Sequence, residues 1–96
     1  MEFDSQKEAY RYLVLRDLEK RGLINNLELQ KEFELIPAQK IDGKVVERAV
    51  KYIADFTYYD ETGAFIVEDT KGFKTKEYII KRKLMLYIHK IQIKEI

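Results

Sequence analysis

The segment VKYIADFTYYDETGAFIVEDTK, residues 50–71, decides the fold. It holds two runs rich in β-branched and aromatic residues, separated by Thr62-Gly63, which is a turn signal. We therefore expect two strands, at about 45–59 and 64–71, that pair as an antiparallel hairpin. Neighbouring sequence must supply the elements that pair with this hairpin and cover it.

The flanking sequence predicts two helices and two further strands. Each helix follows a polar side chain that can cap it, and the first precedes a glycine typical of helix ends. The residues with these roles are Asp4 or Ser5, Thr75 and Gly22. The expected elements are a helix at 4–21, a strand at 27–35, a helix at 76–89 and a strand at 90–96.

The predicted order is α-β-β-β-α-β within a single domain, residues 1–96. Three antiparallel strands and a helical crossover to a fourth predict an α/β fold, with a mixed central sheet packed by helices. Residues 27–35 alternate apolar and polar side chains except at Lys31, which indicates a half-exposed strand. Asp42-Gly43 predicts a turn after it.

Composition excludes several kinds of protein and site. The 96 residues include no cysteine, which excludes disulfides, thiolate zinc sites and a cysteine nucleophile. A single histidine, His89, excludes a histidine-rich metal site. No apolar run approaches about 18 residues, so we expect no transmembrane helix, and the first residues lack the pattern of a signal peptide.

The net charge of +1 conceals an asymmetry along the chain. Residues 1–70 carry 10 basic and 15 acidic side chains, whereas residues 71–96 carry 8 basic and 2 acidic ones. Such a basic segment is typical of a protein with a polyanionic partner, or simply of a solvated helix face.

Asp55 is unusual because it lies in the middle of a predicted strand. Aspartate is depleted in strands, and burying a carboxylate without a partner is costly. The position therefore calls for a cation, several hydrogen-bond donors or a metal ion, unless Asp55 lies on the solvated face of an edge strand.

Asp69 and Lys71 end the following strand on one face, whereas Glu68 should point the other way. The hairpin should bring Asp55 near Asp69. Two close carboxylates repel unless a cation lies between them, and Mg²⁺ prefers such oxygen ligands. Lys71 could neutralise phosphate charge beside that ion. The alternative is an ordinary ion pair at the strand end.

Glu8 lies one helical turn before Tyr12, on the stripe expected to face the sheet. It could contribute a carboxylate to the same site. It could equally be the last member of a capping box that begins at Ser5.

These elements together resemble the PD-(D/E)XK nuclease superfamily, and in particular a phage-encoded family of Holliday-junction-resolvase-like endonucleases. The similarity covers nearly the whole chain in order. Its most telling segments are FDSQKEA (3–9), LELQ (27–30), YIADF (52–56) and VEDTKGFKT (67–75). The proline that gives the superfamily its name is replaced by Ala54.

The resemblance implies a restriction-endonuclease-like fold and a Mg²⁺-dependent catalytic site, with Mn²⁺ as a substitute. Asp55, Asp69, Glu8 and the Thr70 carbonyl would bind the metal, and Lys71 would be the catalytic lysine.

The resemblance also implies DNA as the partner, in particular four-way junctions or other branched DNA. The expected phosphate contacts are Lys74, Lys76, Lys81, Arg82 and Lys83. A resolvase makes two symmetric cuts, so we expect a homodimer. It would act inside the cell, in the cytoplasm of a phage host. Two alternatives stay open: a non-catalytic DNA-binding or assembly subunit, and a nuclease that acts on duplex, flap or end substrates.

Overall fold

The computed structural model describes Phe3 and residues 5–96. Its elements are α1 (Gln6–Lys20), β1 (Asn25–Ile36), β2 (Gln39–Ile41), β3 (Lys44–Glu47), β4 (Val50–Tyr59), β5 (Phe65–Asp69), α2 (Lys76–His89) and β6 (Lys94–Glu95). The predicted α/β fold with two helices is confirmed. Neither helix of the described residues is long and apolar enough to cross a membrane.

The main sheet has the strand order β1-β4-β5-β6. The first three strands pair antiparallel, and β6 pairs parallel to β5 after the crossover through α2. The prediction of a mixed central sheet is therefore confirmed. The last strand is much shorter than predicted, because only Lys94 and Glu95 belong to it.

The prediction of one strand over 45–59 is wrong. This stretch divides into β3 and β4, and β3 pairs with β2 in a separate two-stranded hairpin. Asp42 and Gly43 form its turn with positive φ angles of 52° and 78°, as a type I′ turn requires. Pro37 follows β1 directly and has no backbone N–H, so ladder pairing with β4 stops there. The hairpin projects from the sheet, and residues 37–48 are all exposed.

The helix ends match the predicted signals. The Ser5 hydroxyl accepts a hydrogen bond from the Glu8 N–H at 3.1 Å, and Thr75 caps α2 in the same way. At the end of α1, Gly22 has a φ of 77°, and the Leu23 N–H donates back to the Leu18 carbonyl at 3.0 Å. This is a Schellman motif. The other proposed cap, Asp4, lies outside the described residues.

The helices cover two separate apolar clusters. One joins α1 to the later part of β4, and its buried members are Leu15, Ile24, Phe56 and Tyr58. The other joins α2 to the earlier part of β4, and its buried members are Leu35, Tyr52, Ala54, Val67, Tyr78, Met85 and Ile93. Since neighbouring residues of a strand face opposite sides, Ile66 and Val67 of β5 contact different clusters and place the helices on opposite faces.

The buried side of the β1–β4 ribbon changes from one cluster to the other at Asp55. Ala54 packs in the α2 cluster, yet Phe56, the next buried residue in the alternation, packs in the α1 cluster. The partner strand changes cluster in the same way around Gln30, whose φ is +56°. The site described next forms at this point.

Candidate active site

A cavity of about 260 Å³ lies where the start of α1, the middle of β4 and the segment after β5 meet. Three of the four predicted catalytic residues line it, together with Thr70. Its wall consists of Ser5, Glu8, Asp55, Thr70, Lys71, Gly72 and Phe73. The fold therefore brings side chains that are far apart in sequence to one small opening.

Asp55 is half-buried and is held by the segment after β5. Its Oδ2 accepts hydrogen bonds from the Thr70 backbone N–H and from the Thr70 hydroxyl, both at 2.8 Å. These two donors supply the hydrogen bonds that a carboxylate in the middle of a strand requires. Its Oδ1 accepts no hydrogen bond from the described residues, and Asp55 lines the cavity, so the carboxylate keeps an acceptor for a ligand.

Glu8 is 3% exposed and lies on the same wall. Its Oε1 accepts a hydrogen bond from the Gln30 side-chain amide at 3.2 Å. Gln30 was not predicted as a site residue, although the break in alternation at Lys31 marks the place where β1 deviates. Gln30 has a left-handed backbone, which is uncommon for a residue other than glycine, and such conformations cluster at functional sites.

Asp69 does not line the cavity. It is fully buried on the α2 side, where its Oδ2 accepts from the Tyr52 hydroxyl at 2.7 Å. Its Oδ1 accepts from the Lys71 backbone N–H at 3.0 Å. Burial raises the pKa of the Asp69 carboxyl, and burial beside this carboxyl raises the pKa of the Tyr52 phenol. Tyr52 is a second partner that sequence reasoning missed.

Lys71 is exposed and lies between two cavities. Its Nζ is 6.0 Å from the centre of the Tyr78 ring. Besides the cavity of Glu8 and Asp55, it lines a neighbouring one of about 380 Å³ that Lys51 and Lys81 also line. The ammonium group of Lys71 can therefore neutralise an anion bound at the boundary of the two cavities.

The carboxylates that line the smaller cavity could supply some, but not all, of the ligands of one magnesium ion. Mg²⁺ is commonly held by one or two carboxylates, with waters and substrate phosphates as the other ligands. Asp55 and Glu8 offer two carboxylates on one wall. Within Phe3 and residues 5–96, no three aspartate, glutamate, histidine or cysteine side chains group closely enough to hold a metal ion.

Glu68 points away from Asp69, as predicted, and is fully buried beneath α1. The Arg11 guanidinium donates to both of its carboxylate oxygens, at 2.8 Å and 2.7 Å, and the Tyr58 hydroxyl donates as well. These bonds raise the pKa of Arg11. Since Arg11 lies one turn after Glu8, this ion pair fixes the part of α1 that carries Glu8.

Three of the five predicted phosphate contacts have acidic partners within the protein. Lys74 and Arg82 lie 3.8 Å and 3.2 Å from the carboxylate of Glu95, and Lys81 lies 3.1 Å from that of Glu77. A nucleic acid would compete with these carboxylates for the cations.

Replacing Glu95 with glutamine should weaken the acid dependence of stability. The Tyr78 hydroxyl, then Arg82, lower the pKa of the Glu95 carboxyl below its ordinary 4.5. A carboxyl group whose pKa is lowered by folding stabilises the folded state at pH values above its ordinary pKa. This stabilisation is lost as the pH falls through the pKa of the folded state. The free energy of unfolding, measured in urea from about pH 7 to about pH 3, should therefore fall less steeply in Glu95→Gln than in the wild type. Glu47→Gln on the exposed hairpin is the control, and equal slopes in both variants would contradict the prediction.

The comparison with protein families gave a match over nearly the whole chain. A family model described as "Protein of unknown function (DUF1064)" matches residues 1–95. No curated protein and no solved structure matches the chain.

Proposed function

The chain belongs to the DUF1064 family, and we propose that it is a Mg²⁺-dependent endonuclease that hydrolyses phosphodiester bonds in branched DNA. One observation carries the proposal: Glu8, Asp55 and Lys71, from three separate parts of the sequence, line one cavity. The combination of carboxylates with a lysine suits phosphodiester hydrolysis, because the carboxylates attract a cation and the lysine attracts the phosphate.

Each residue of the site would have a distinct role in hydrolysis. Asp55 and Glu8 would hold the ion, with the Thr70 carbonyl as a further ligand, and the N–H and hydroxyl of Thr70 orient Asp55 through two hydrogen bonds. Lys71 neutralises charge on the scissile phosphate, and Asp69 holds the backbone of Lys71 in place. When bound, the ion would activate water as a nucleophile and stabilise the negative charge of the transition state.

The same proposal assigns a restriction-endonuclease-like topology to the mixed sheet and helices, in one domain over residues 1–96. It makes the protein a homodimer that places two sites on one junction. It also gives the protein a phage origin and a place of action in the cytoplasm of the host cell. Lys76 and Lys83 are the predicted phosphate contacts without an ion pair among the described residues.

A second candidate function is a non-catalytic DNA-binding subunit with the same fold. The position of Asp69 favours it, because this carboxylate is buried against Tyr52 rather than lining the cavity. Such a protein would keep the basic segment and bind DNA, but the metal would be irrelevant to it.

A cleavage assay tests the proposal directly. The purified protein is incubated with a four-way junction, a flap, a plain duplex and a single strand of matched sequence, with Mg²⁺ or with EDTA. We expect symmetric cuts in the junction, with Mg²⁺ only. Equal cleavage of the plain duplex would remove the junction specificity but keep the nuclease. Tight binding without cleavage in Mg²⁺ or Mn²⁺ would favour the non-catalytic subunit.

A further inference from the structure

Phe73 is the most exposed large apolar side chain among the described residues, with 80% of its surface accessible. It lies in the connection between β5 and α2, two residues after Lys71. Isolated exposed apolar residues are common and need no explanation by themselves. The position of Phe73 is distinctive because it lines the same cavity as Glu8, Asp55 and Lys71.

The surroundings of Phe73 leave room for a flat ligand. Its ring contacts no other aromatic ring of the described residues at stacking distance, and a Cβ added to the neighbouring Gly72 would meet no atom within 4 Å. Lys74 follows directly; its side chain is half-exposed, and its ammonium group lies 3.8 Å from the Glu95 carboxylate. Phe73 shares its cavity with Lys71, and Lys71 also lines the neighbouring cavity with Lys51 and Lys81. An exposed aromatic ring near cationic side chains is the combination that binds single-stranded nucleic acids by stacking on bases.

We infer that Phe73 is a stacking platform for an unpaired nucleobase next to the scissile phosphate. This inference rests on the proposed nuclease function and adds the substrate feature that the site selects. A base in a duplex is already stacked between its neighbours, so only an unpaired or easily unstacked nucleotide can use the ring at low cost. Junctions and other branch points offer such nucleotides. The platform would therefore favour branched DNA without reading its sequence.

The chain contains no tryptophan, so the substitution Phe73→Trp introduces a single fluorescent reporter at this position. Tyr87→Trp is the matched control, because Tyr87 is also an exposed aromatic residue, at 76%, and does not line the cavity. Both variants are titrated in EDTA with a single-stranded oligothymidylate, a four-way junction and a plain duplex. Fluorescence anisotropy of labelled DNA measures binding in the same samples.

Stacking predicts quenching of the Phe73→Trp emission by the single strand and the junction, weaker quenching by the duplex, and no change in Tyr87→Trp. Phe73→Ala should weaken single-strand binding by about 5- to 150-fold, the effect of losing one base–aromatic contact. Binding without quenching, or equal quenching by the duplex, would overturn the inference. So would a blue shift of the Phe73→Trp emission with protein concentration alone, which would assign the ring to an interface between copies of the chain.

The two proposals can fail separately. If the wild type cleaves DNA with Mg²⁺ but the Phe73→Trp emission does not change when DNA binds, the stacking proposal is wrong and the nuclease proposal stands. If the emission is quenched by single strands but no DNA is cleaved, the base contact stands and the nuclease is wrong.

Discussion

Replacing Asp55 with asparagine should reduce the rate of junction cleavage by about 10³-fold while the protein stays folded. The asparagine carbonyl oxygen can still accept the hydrogen bonds that Thr70 donates to Oδ2. The variant loses the negative charge and the carboxylate oxygen that does not bond to Thr70. A gel assay under single-turnover conditions measures the rate.

The loss should be accompanied by a loss of metal binding that does not depend on activity. A ligand that binds only the folded state raises its stability, so Mg²⁺ should raise the melting temperature of the wild type more than that of Asp55→Asn. Asp60→Asn is the control, because Asp60 accepts its hydrogen bonds within the exposed β4–β5 turn, away from the cavity. If Asp55→Asn cleaved the junction at the wild-type rate, Asp55 would have no part in the proposed mechanism.

Replacing Arg11 with alanine should lower the free energy of unfolding by about 3–5 kcal/mol. The substitution leaves the fully buried Glu68 carboxylate without its cation, since of the described residues only Tyr58 would still donate to it, through its hydroxyl. A chain of this length has a total stability of roughly 5–14 kcal/mol, so a large part of it would be lost. Urea denaturation monitored by circular dichroism measures the difference.

Arg21 provides the matched control, because its ion pair with Asp17 at 3.6 Å is solvent-exposed on both sides. An exposed pair of this kind contributes about 0–1 kcal/mol, so Arg21→Ala should have a small effect. The double variant Arg11→Ala/Glu68→Gln should lose less than the two single changes added together, because it removes the buried unpaired charge. Similar losses from Arg11→Ala and Arg21→Ala would show that burial of this pair is energetically unimportant.

Local signals in the sequence predicted those parts of the fold that depend on neighbouring residues. Ser5 and Thr75 cap the helices, Gly22 ends the first one, and Thr62-Gly63 turns the central hairpin. The position of that turn also predicts that Asp55 lies near Asp69, although it does not fix the register. In the structure, each of these residues is the neighbour of a member of the pair Phe56–Glu68. Each signal acts through backbone geometry within a few residues.

The parts that could not be predicted depend on contacts between distant segments. No local pattern shows that Tyr52 would donate to Asp69, or that Gln30 would reach Glu8, because these contacts depend on how the sheet packs against α1 and α2. The separation of β3 from β4 was missed because both stretches favour strands. They are separate strands because the pairing of β4 with β1 ends at Val50 and Ile36, next to Pro37, whereas β3 pairs with β2.

The two apolar clusters have a consequence for the order in which the site can form. Each helix is packed on its own cluster, and the two clusters meet along the ribbon at Asp55. Glu8 lies on α1, whereas Lys71 lies beside Tyr78, a buried member of the cluster beneath α2. The site is therefore complete only when both clusters have packed, and a substitution that loosens either one would separate its charged groups.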